Sequence, residues 1–144
     1  MISFHYDVAV SLKNRNKLKK FLLKMAKEEG FTIDRIDYIF CSPKRILEIN
    51  KAHLDHHYTT DIITFEYSDN RNRKTSSEIY ICPDVVNKNA VQYTQTKTRE
   101  LHRVIIHGLL HLCGYKDKSP RDQKQMRSKE DYYLERYFVP RGTK

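Results

Sequence analysis

The chain has 144 residues, of which 39% are hydrophobic and 11% aromatic, which is enough to build the core of one ordinary domain. This composition excludes wholesale disorder, and no apolar run approaches the ~20 residues of a membrane-spanning helix. With 27 Lys and Arg against 18 Asp and Glu, the net charge is +9, which favours polyanionic partners, nucleic acid above all. We expect a single domain over residues 1–144.

The cysteines and the first residues predict the compartment. Cys41, Cys82 and Cys113 lie far apart in apolar stretches without a Cys-x-x-Cys spacing. They are interpreted as buried free thiols in a reducing cytoplasm, not as disulfides or metal ligands. Residues 1–10 alternate apolar and polar side chains and lack the charged start and apolar block of a signal peptide. We therefore expect a cytoplasmic protein without membrane contact.

The first part of the chain predicts strands alternating with helices. Its elements are a strand over 2–10, a helix from Asn14 or Asn16 to about Glu29, a strand over 35–41 and a helix from Ser42 to about His53. The first strand follows from apolar residues at every second position, and the first helix from an apolar stripe at i, i+3, i+4 and i+7. Gly30 is a natural helix stop, and Ser42 followed by Pro43 is a typical helix start.

The first helix also carries a basic face opposite its apolar stripe. Its members are Lys13, Lys17, Lys20, Lys24 and Lys27. Two interpretations stay open for this face, because a solvated helix surface and a surface that attracts RNA have the same lysine pattern.

The second part predicts a hairpin followed by helices. Its elements are a loop over 55–60, a strand over 61–67, a mobile loop over 68–77, a strand over 78–82, helices over 83–93 and 98–113, and a last helix beginning at Ser119. The combination predicts an α+β (mixed α/β) domain with a mixed sheet of about four strands covered by helices. The 98–113 helix is expected to pack at its centre.

That central helix contains two histidines four residues apart. His107 and His111 share one face of the predicted helix, so both imidazoles can reach one ion at the 2.0–2.1 Å that zinc requires. Apolar residues surround them. A pair of hydrogen-bonded core histidines is the alternative interpretation.

The residues after the helix favour the metal site. Gly114 can end the helix in a left-handed conformation and turn the chain back, which lets Asp117 arrive as a third ligand. The pattern H-x3-H-x2-G-x2-D has the spacing of the long zincin motif, with Asp in the final ligand position, and predicts a zincin-like metal helix. Three protein ligands leave an open fourth position, which is typical of catalytic zinc.

Gly108 argues against a peptidase. Zincin peptidases place a glutamate general base directly after the first histidine, and this chain has Gly108 there. A metal can still lower the pKa of its water or polarise a phosphoryl oxygen without that base. A basic chain with such a site is therefore expected to act on phosphodiesters.

The segment HGLLHLCGYKD resembles the signature HGxLHLxGYDH of the bacterial YbeY endoribonucleases, also called rRNA maturation factors. EINKAHLDHHYTTDIITFEY is similar to the family segment LN-x3-R…TDVLSF, and SEIYIC to the strand that follows it. The resemblance covers roughly residues 45–135. It implies a metal-dependent, single-strand-specific endoribonuclease that acts in ribosomal RNA maturation and ribosome quality control, with zinc as cofactor and no small-molecule cofactor.

Two departures from the family pattern bear on the site. The family's third histidine corresponds to Asp117 here, and its preceding Asp to Lys116; the carboxylate keeps zinc possible and leaves manganese or magnesium as alternatives. The family's arginine after LN-x3 corresponds to Leu54, so no catalytic residue is assigned. A metallopeptidase and a non-catalytic RNA-binding assembly factor with a structural metal stay as alternative functions.

Several further residues have two interpretations from the sequence. Thr60 and Asp61 either form the turn into a strand or line the cleft beside the metal, and Tyr115 either packs over the site or stacks a base. The three histidines of the 53–57 segment are surface-loop residues or polar groups near the site. In the 68–77 loop, Arg71, Arg73 and Lys74 are candidates for gripping RNA phosphates.

Overall fold

The computed structural model describes residues 1–68 and 72–139. Four strands and five helices occur in these ranges. The strands are β1 (Ile2–Tyr6), β2 (Thr32–Phe40), β3 (Ile62–Glu66) and β4 (Lys74–Ile81). The helices are α1 (Arg15–Glu28), α2 (Pro43–Leu54), α3 (Pro83–Gln92), α4 (Lys97–Leu112) and α5 (Pro120–Phe138).

The strands form one mixed sheet in the order β1-β2-β4-β3. β1 pairs with β2 and β2 with β4 in parallel, while β3 and β4 pair antiparallel as the predicted hairpin. The parallel pairs require crossovers, which α1 supplies between the first two strands. The predicted α+β class, with about four strands in a mixed sheet, is confirmed.

Helices cover both faces of the sheet. Successive residues of β4 point to opposite faces, and Ile79 and Ile81 join a core shared with α1, α4 and α5. Tyr80 packs on the other side, against a smaller cluster that α2 completes with Ile46 and Ile49. Helix α4 packs against α3, α5, β3 and β4, so it lies at the centre of the domain as predicted.

Three predicted boundaries are wrong, and strand pairing explains each of them. The first strand ends at Tyr6, not at residue 10, because its partner β2 ends at Phe40. β2 begins at Thr32, before the predicted residue 35, and β4 begins at Lys74, inside the predicted 68–77 loop. Thr32 pairs with Lys74, so pairing between β2 and β4 lengthens both strands at their N-terminal ends.

All three cysteines are free thiols, and the predicted burial holds for two of them. Cys41 and Cys82 are fully buried, whereas Cys113 is half-buried at the end of α4. Across residues 1–68 and 72–139, no helix combines the length and the apolar character needed to cross a membrane.

Candidate metal centre

Helix α4 and the turn after it bring three predicted ligands together. The Nε2 atoms of His107 and His111 are 3.0 Å apart, and Asp117 Oδ2 lies 3.4 Å from each of them. Ligands of a tetrahedral ion with bonds of 2.0–2.1 Å stand about 3.3 Å from one another. The three donor atoms therefore have the separations that a small divalent ion requires.

The turn that delivers Asp117 depends on Gly114. This glycine has φ +99°, in the left-handed region, and ends the helix one residue after Cys113. The side chains of His107, His111 and Asp117 are 19%, 30% and 42% exposed. Solvent therefore reaches the centre, which leaves space for a further ligand.

A buried carboxylate orients one of the histidines. His107 Nδ1 is 2.6 Å from Glu130 Oε2, and Arg103 donates to Glu130 Oε1 at 2.9 Å. With Nδ1 as the donor in this bond, Nε2 keeps its lone pair for a metal. Sequence reasoning missed Glu130, because it lies on α5, 23 residues after His107, and no local spacing links the two.

The electrostatic surroundings favour positive charge at this point. Burial alone would lower the pKa of His107, but the hydrogen bond to Glu130 and the nearby Asp117 and Asp61 raise it above its ordinary value. The pKa of His111 is lowered, by burial first and then by its neighbour His107. The carboxylates of Asp117 and Asp61, which help to raise the pKa of His107, would also attract a bound cation.

Gly108 faces the sheet and not the ligands. A Cβ at this position would lie 3.1 Å from the Cδ1 atoms of both Ile62 and Ile79. The close contact between α4 and the sheet therefore needs a residue without a side chain here. A peptidase-type glutamate at position 108 would be directed into the core.

The centre lies in a groove of about 680 Å³ at the β3 side of the sheet. Thr60 and Asp61 line it, so of their two interpretations the structure favours the cleft. Asp61 also anchors the strand entry, because its carbonyl accepts from the Cys82 N–H at 2.9 Å. Burial raises the pKa of the Asp61 carboxyl, and the adjacent His107 partly opposes this.

Leu54 lines the same groove with 44% of its surface exposed. Leu54 corresponds to the family arginine, and its side chain offers neither charge nor hydrogen bonds. Of the three nearby histidines, His56 lines the groove. His53 packs against Phe65 instead, and His57 lies beside Asp55 at 3.5 Å.

Arg73 and Lys74 of the basic loop lie apart from this groove. The Arg73 guanidinium is 5.3 Å from the centre of the Phe31 ring, and Lys74 Nζ is 3.6 Å from Asp34 Oδ1. Arg71 lies outside the described residues. The RNA-gripping role of these three residues stays a prediction.

Tyr115 packs in a different place from the groove. Its hydroxyl donates to Glu29 Oε1 at 2.7 Å, and its ring packs against the main core. Of the two interpretations of Tyr115, the structure therefore favours packing and not base stacking. The ring packs against α1 and α5, however, and not over the metal centre.

Comparison with known proteins identifies the family. A family model described as "Endoribonuclease YbeY" matches residues 3–138. The chain belongs to the YbeY family. The endoribonuclease YbeY of Cytophaga hutchinsonii is 44% identical over 131 residues, which cover 91% of each chain. That of Flavobacterium psychrophilum is 39% identical over 139 residues, covering 96% of this chain and 98% of the relative.

The fold agrees with this assignment. The solution structure of protein TM1509 from Thermotoga maritima matches with a TM-score of 0.66 and 29% sequence identity, covering 96% of this chain and 89% of that one. The family resemblance carried by the HGLLHLCGYKD and TDIITF segments is thus confirmed over nearly the whole chain.

Proposed function

We propose that this YbeY-family chain is a metal-dependent, single-strand-specific endoribonuclease that hydrolyses phosphodiester bonds in ribosomal RNA maturation and ribosome quality control. The observation that carries the proposal is the open three-donor centre of His107, His111 and Asp117 in a solvent-accessible groove. The names of the relatives, endoribonucleases at 39–44% identity, support the reaction class.

The roles of this chain's residues follow from their contacts. His107, His111 and Asp117 would hold one divalent ion, and Glu130 would keep His107 in the tautomer that binds it. Such an ion supplies a polarised phosphoryl oxygen and a more acidic water. Because Leu54 is uncharged, the phosphate charge has to be met by other groups of the groove.

Zinc is the proposed ion, since two imidazoles and one carboxylate form a set of donors that zinc accepts in tetrahedral geometry. Manganese and magnesium prefer more oxygen donors and stay as alternatives. We further propose that the chain is one domain, that its location is the cytoplasm and that its partner is ribosomal RNA within the ribosome. The match of the family model over residues 3–138 supports the single domain.

Two other functions compete with this proposal. A metallopeptidase lacks support, because Gly108 supplies no general base and its position faces Ile62 and Ile79. An RNA-binding assembly factor with a structural metal would explain Leu54, because it would need no arginine for catalysis.

Cleavage of a single-stranded RNA labelled at one end tests the proposal. Protein purified without an affinity tag is expected to contain about one zinc per chain by elemental analysis and to cleave the RNA. His111→Ala and a chelator should each abolish both properties, while the control His57→Ala, an exposed histidine outside the groove, should retain them. RNA binding without metal-dependent cleavage would favour the assembly factor, and cleavage that persists in His111→Ala would refute the metal mechanism.

A further inference from the structure

Two aromatic rings stand at the groove that contains the metal centre. His56 and Tyr58 both line this groove, and their rings are stacked with centroids 5.2 Å apart and planes 16° apart. The Tyr58 hydroxyl lies 3.1 Å from His56 Nδ1, which ties the two rings together. Tyr58 is 58% exposed, so much of its surface faces solvent.

The backbone of this pair is fixed although its rings are exposed. Asn50, which is 1% exposed, donates from Nδ2 to the Tyr58 carbonyl at 2.8 Å. The backbone carbonyl of Asn50 accepts a hydrogen bond from the His56 N–H at 3.1 Å. One buried amide residue of α2 therefore holds both aromatic residues, and a ligand would meet rings that need little reordering.

The charge of the groove limits what can bind there. Its lining includes the carboxyl groups of Asp61, Glu66 and Asp117 but only one ammonium group, that of Lys118. Without a metal such a lining repels phosphates. With a divalent ion the formal charges cancel. A nucleic-acid strand therefore needs contacts other than phosphate pairing to be held in this groove. The apolar side chain of Leu54, which lines the same groove as the aromatic pair, fits such contacts.

We propose that His56 and Tyr58 form a stacking platform for an unpaired nucleobase of the RNA strand that enters the metal groove. The proposal rests on the proposed function, because it assigns a base-binding subsite to the same groove. Exposed aromatic rings bind bases through their faces without regard to sequence. In a duplex both faces of each base are already stacked on neighbours, so the platform selects single strands.

The test uses a short single-stranded RNA that carries one 2-aminopurine, whose fluorescence falls when the base stacks. Binding is measured with zinc bound, by stopped-flow fluorescence directly after mixing, so that the quenching is recorded before cleavage. Wild type should bind and quench the probe, and Tyr58→Ala should weaken binding on the order of tenfold and lose the quenching. Tyr58→Phe keeps the ring and should bind nearly as well as wild type, which also checks that the loop is intact.

The matched control is Tyr93→Ala, because Tyr93 is 57% exposed and does not line the groove. It should leave binding unchanged, and the same RNA annealed to its complement should bind weakly to every variant. Equal binding by wild type and Tyr58→Ala, or no binding by wild type, would overturn the platform. Metal-dependent cleavage by wild type in a separate assay would then leave the proposed endoribonuclease function standing.

Discussion

The two ring nitrogens of His107 face different groups. Nδ1 lies 2.6 Å from the Glu130 carboxylate, whereas Nε2 faces the other two candidate ligands, His111 and Asp117. Glu130 is buried, and its charge is compensated by Arg103, which bonds its second oxygen and also Asp131. A histidine held in this way presents a lone pair to the metal at a fixed angle, which raises its affinity as a ligand.

The first prediction is that Glu130→Gln lowers metal affinity about 10–100-fold, because an amide accepts the His107 proton less strongly than a carboxylate and leaves Arg103 less well paired. Isothermal titration of metal-free protein with zinc measures the change. Asp131→Asn is the matched control, since Asp131 bonds Arg103 at 2.9 Å but does not contact His107. Equal affinities for wild type and Glu130→Gln would contradict the orienting role.

Residue spacing was enough to predict the three candidate ligands, left Asp61 between a turn and the cleft, and gave no sign of Glu130. His107, His111 and Asp117 lie within one helix and the turn after it, where residue spacing determines distance. Glu130 and Asp61 reach the same point from α5 and from the start of β3. Their positions depend on how the helices and the sheet pack, which residue spacing does not encode.

The second prediction concerns Gly108, where α4 contacts the sheet. Gly108→Glu should lower the free energy of unfolding by at least about 3 kcal/mol, because it overpacks Ile62 and Ile79 and buries a carboxylate. Urea unfolding measures the change, with Gly108→Ala as the smaller perturbation. A Gly108→Glu protein as stable as wild type would show that the close contact of α4 with the sheet does not need a glycine at this position.

At the scale of elements, α1 and α5 are joined by a cluster of charged and hydroxyl groups. Glu29 accepts from Tyr115, from Lys129 at 3.1 Å and from Tyr133. Burial would raise the pKa of Glu29, but these hydrogen bonds together lower it below its ordinary value of 4.5. The neighbouring Glu28 also has a lowered pKa, chiefly through its bonds from Arg136.

The third prediction follows from the sign of these shifts. A carboxylate with a lowered pKa stabilises the fold fully above its unfolded pKa, and this contribution is lost as pH falls through the folded value. We expect the free energy of unfolding to decrease as pH falls below about 4.5. Glu29→Gln should cost about 1–2 kcal/mol at pH 7 and should reduce the decrease at acid pH.

Denaturant titrations from pH 7 to pH 3 measure both quantities. Glu48→Gln serves as the control, since the Glu48 side chain is 54% exposed and its partner Arg45 is 3.8 Å away. The same acid slope in wild type and in Glu29→Gln would show that Glu29 does not link stability to pH.

Element types were predictable from the sequence, and element ends were predictable only where local chemistry defines them. Ser42 and Ser119 accept hydrogen bonds from the backbone N–H groups of Arg45 and Asp122, as capping residues should. Asn14 occupies the position before α1 but makes no side-chain capping bond. The ends of the strands depend on their partners, and so the β2 and β4 starts were predicted several residues late.

At the scale of the whole molecule, the net charge of +9 attracts polyanions, whereas the acidic lining of the metal groove repels them. If the positive charge attracts RNA, it is expected to do so elsewhere on the surface. The basic face of α1, together with Lys13 just before the helix, is a candidate, because all five lysines are exposed: Lys13, Lys17, Lys20, Lys24 and Lys27. Its two interpretations, solvated surface and RNA surface, predict different salt dependences.

The fourth prediction is that the affinity for single-stranded RNA falls linearly in log K against log salt, and that Lys20→Glu/Lys24→Glu makes this slope shallower by about 1.4. Each lysine that leaves a phosphate contact removes about 0.7 from a single-strand slope.

The control Lys88→Glu/Lys97→Glu changes the net charge equally at two exposed lysines of α3 and α4. Arg73→Glu/Lys74→Glu examines the loop cluster in the same way. An equal slope in wild type and in the α1 variant would mean that the α1 lysines only face solvent, and an equal loss in the control would mean that net charge alone attracts RNA.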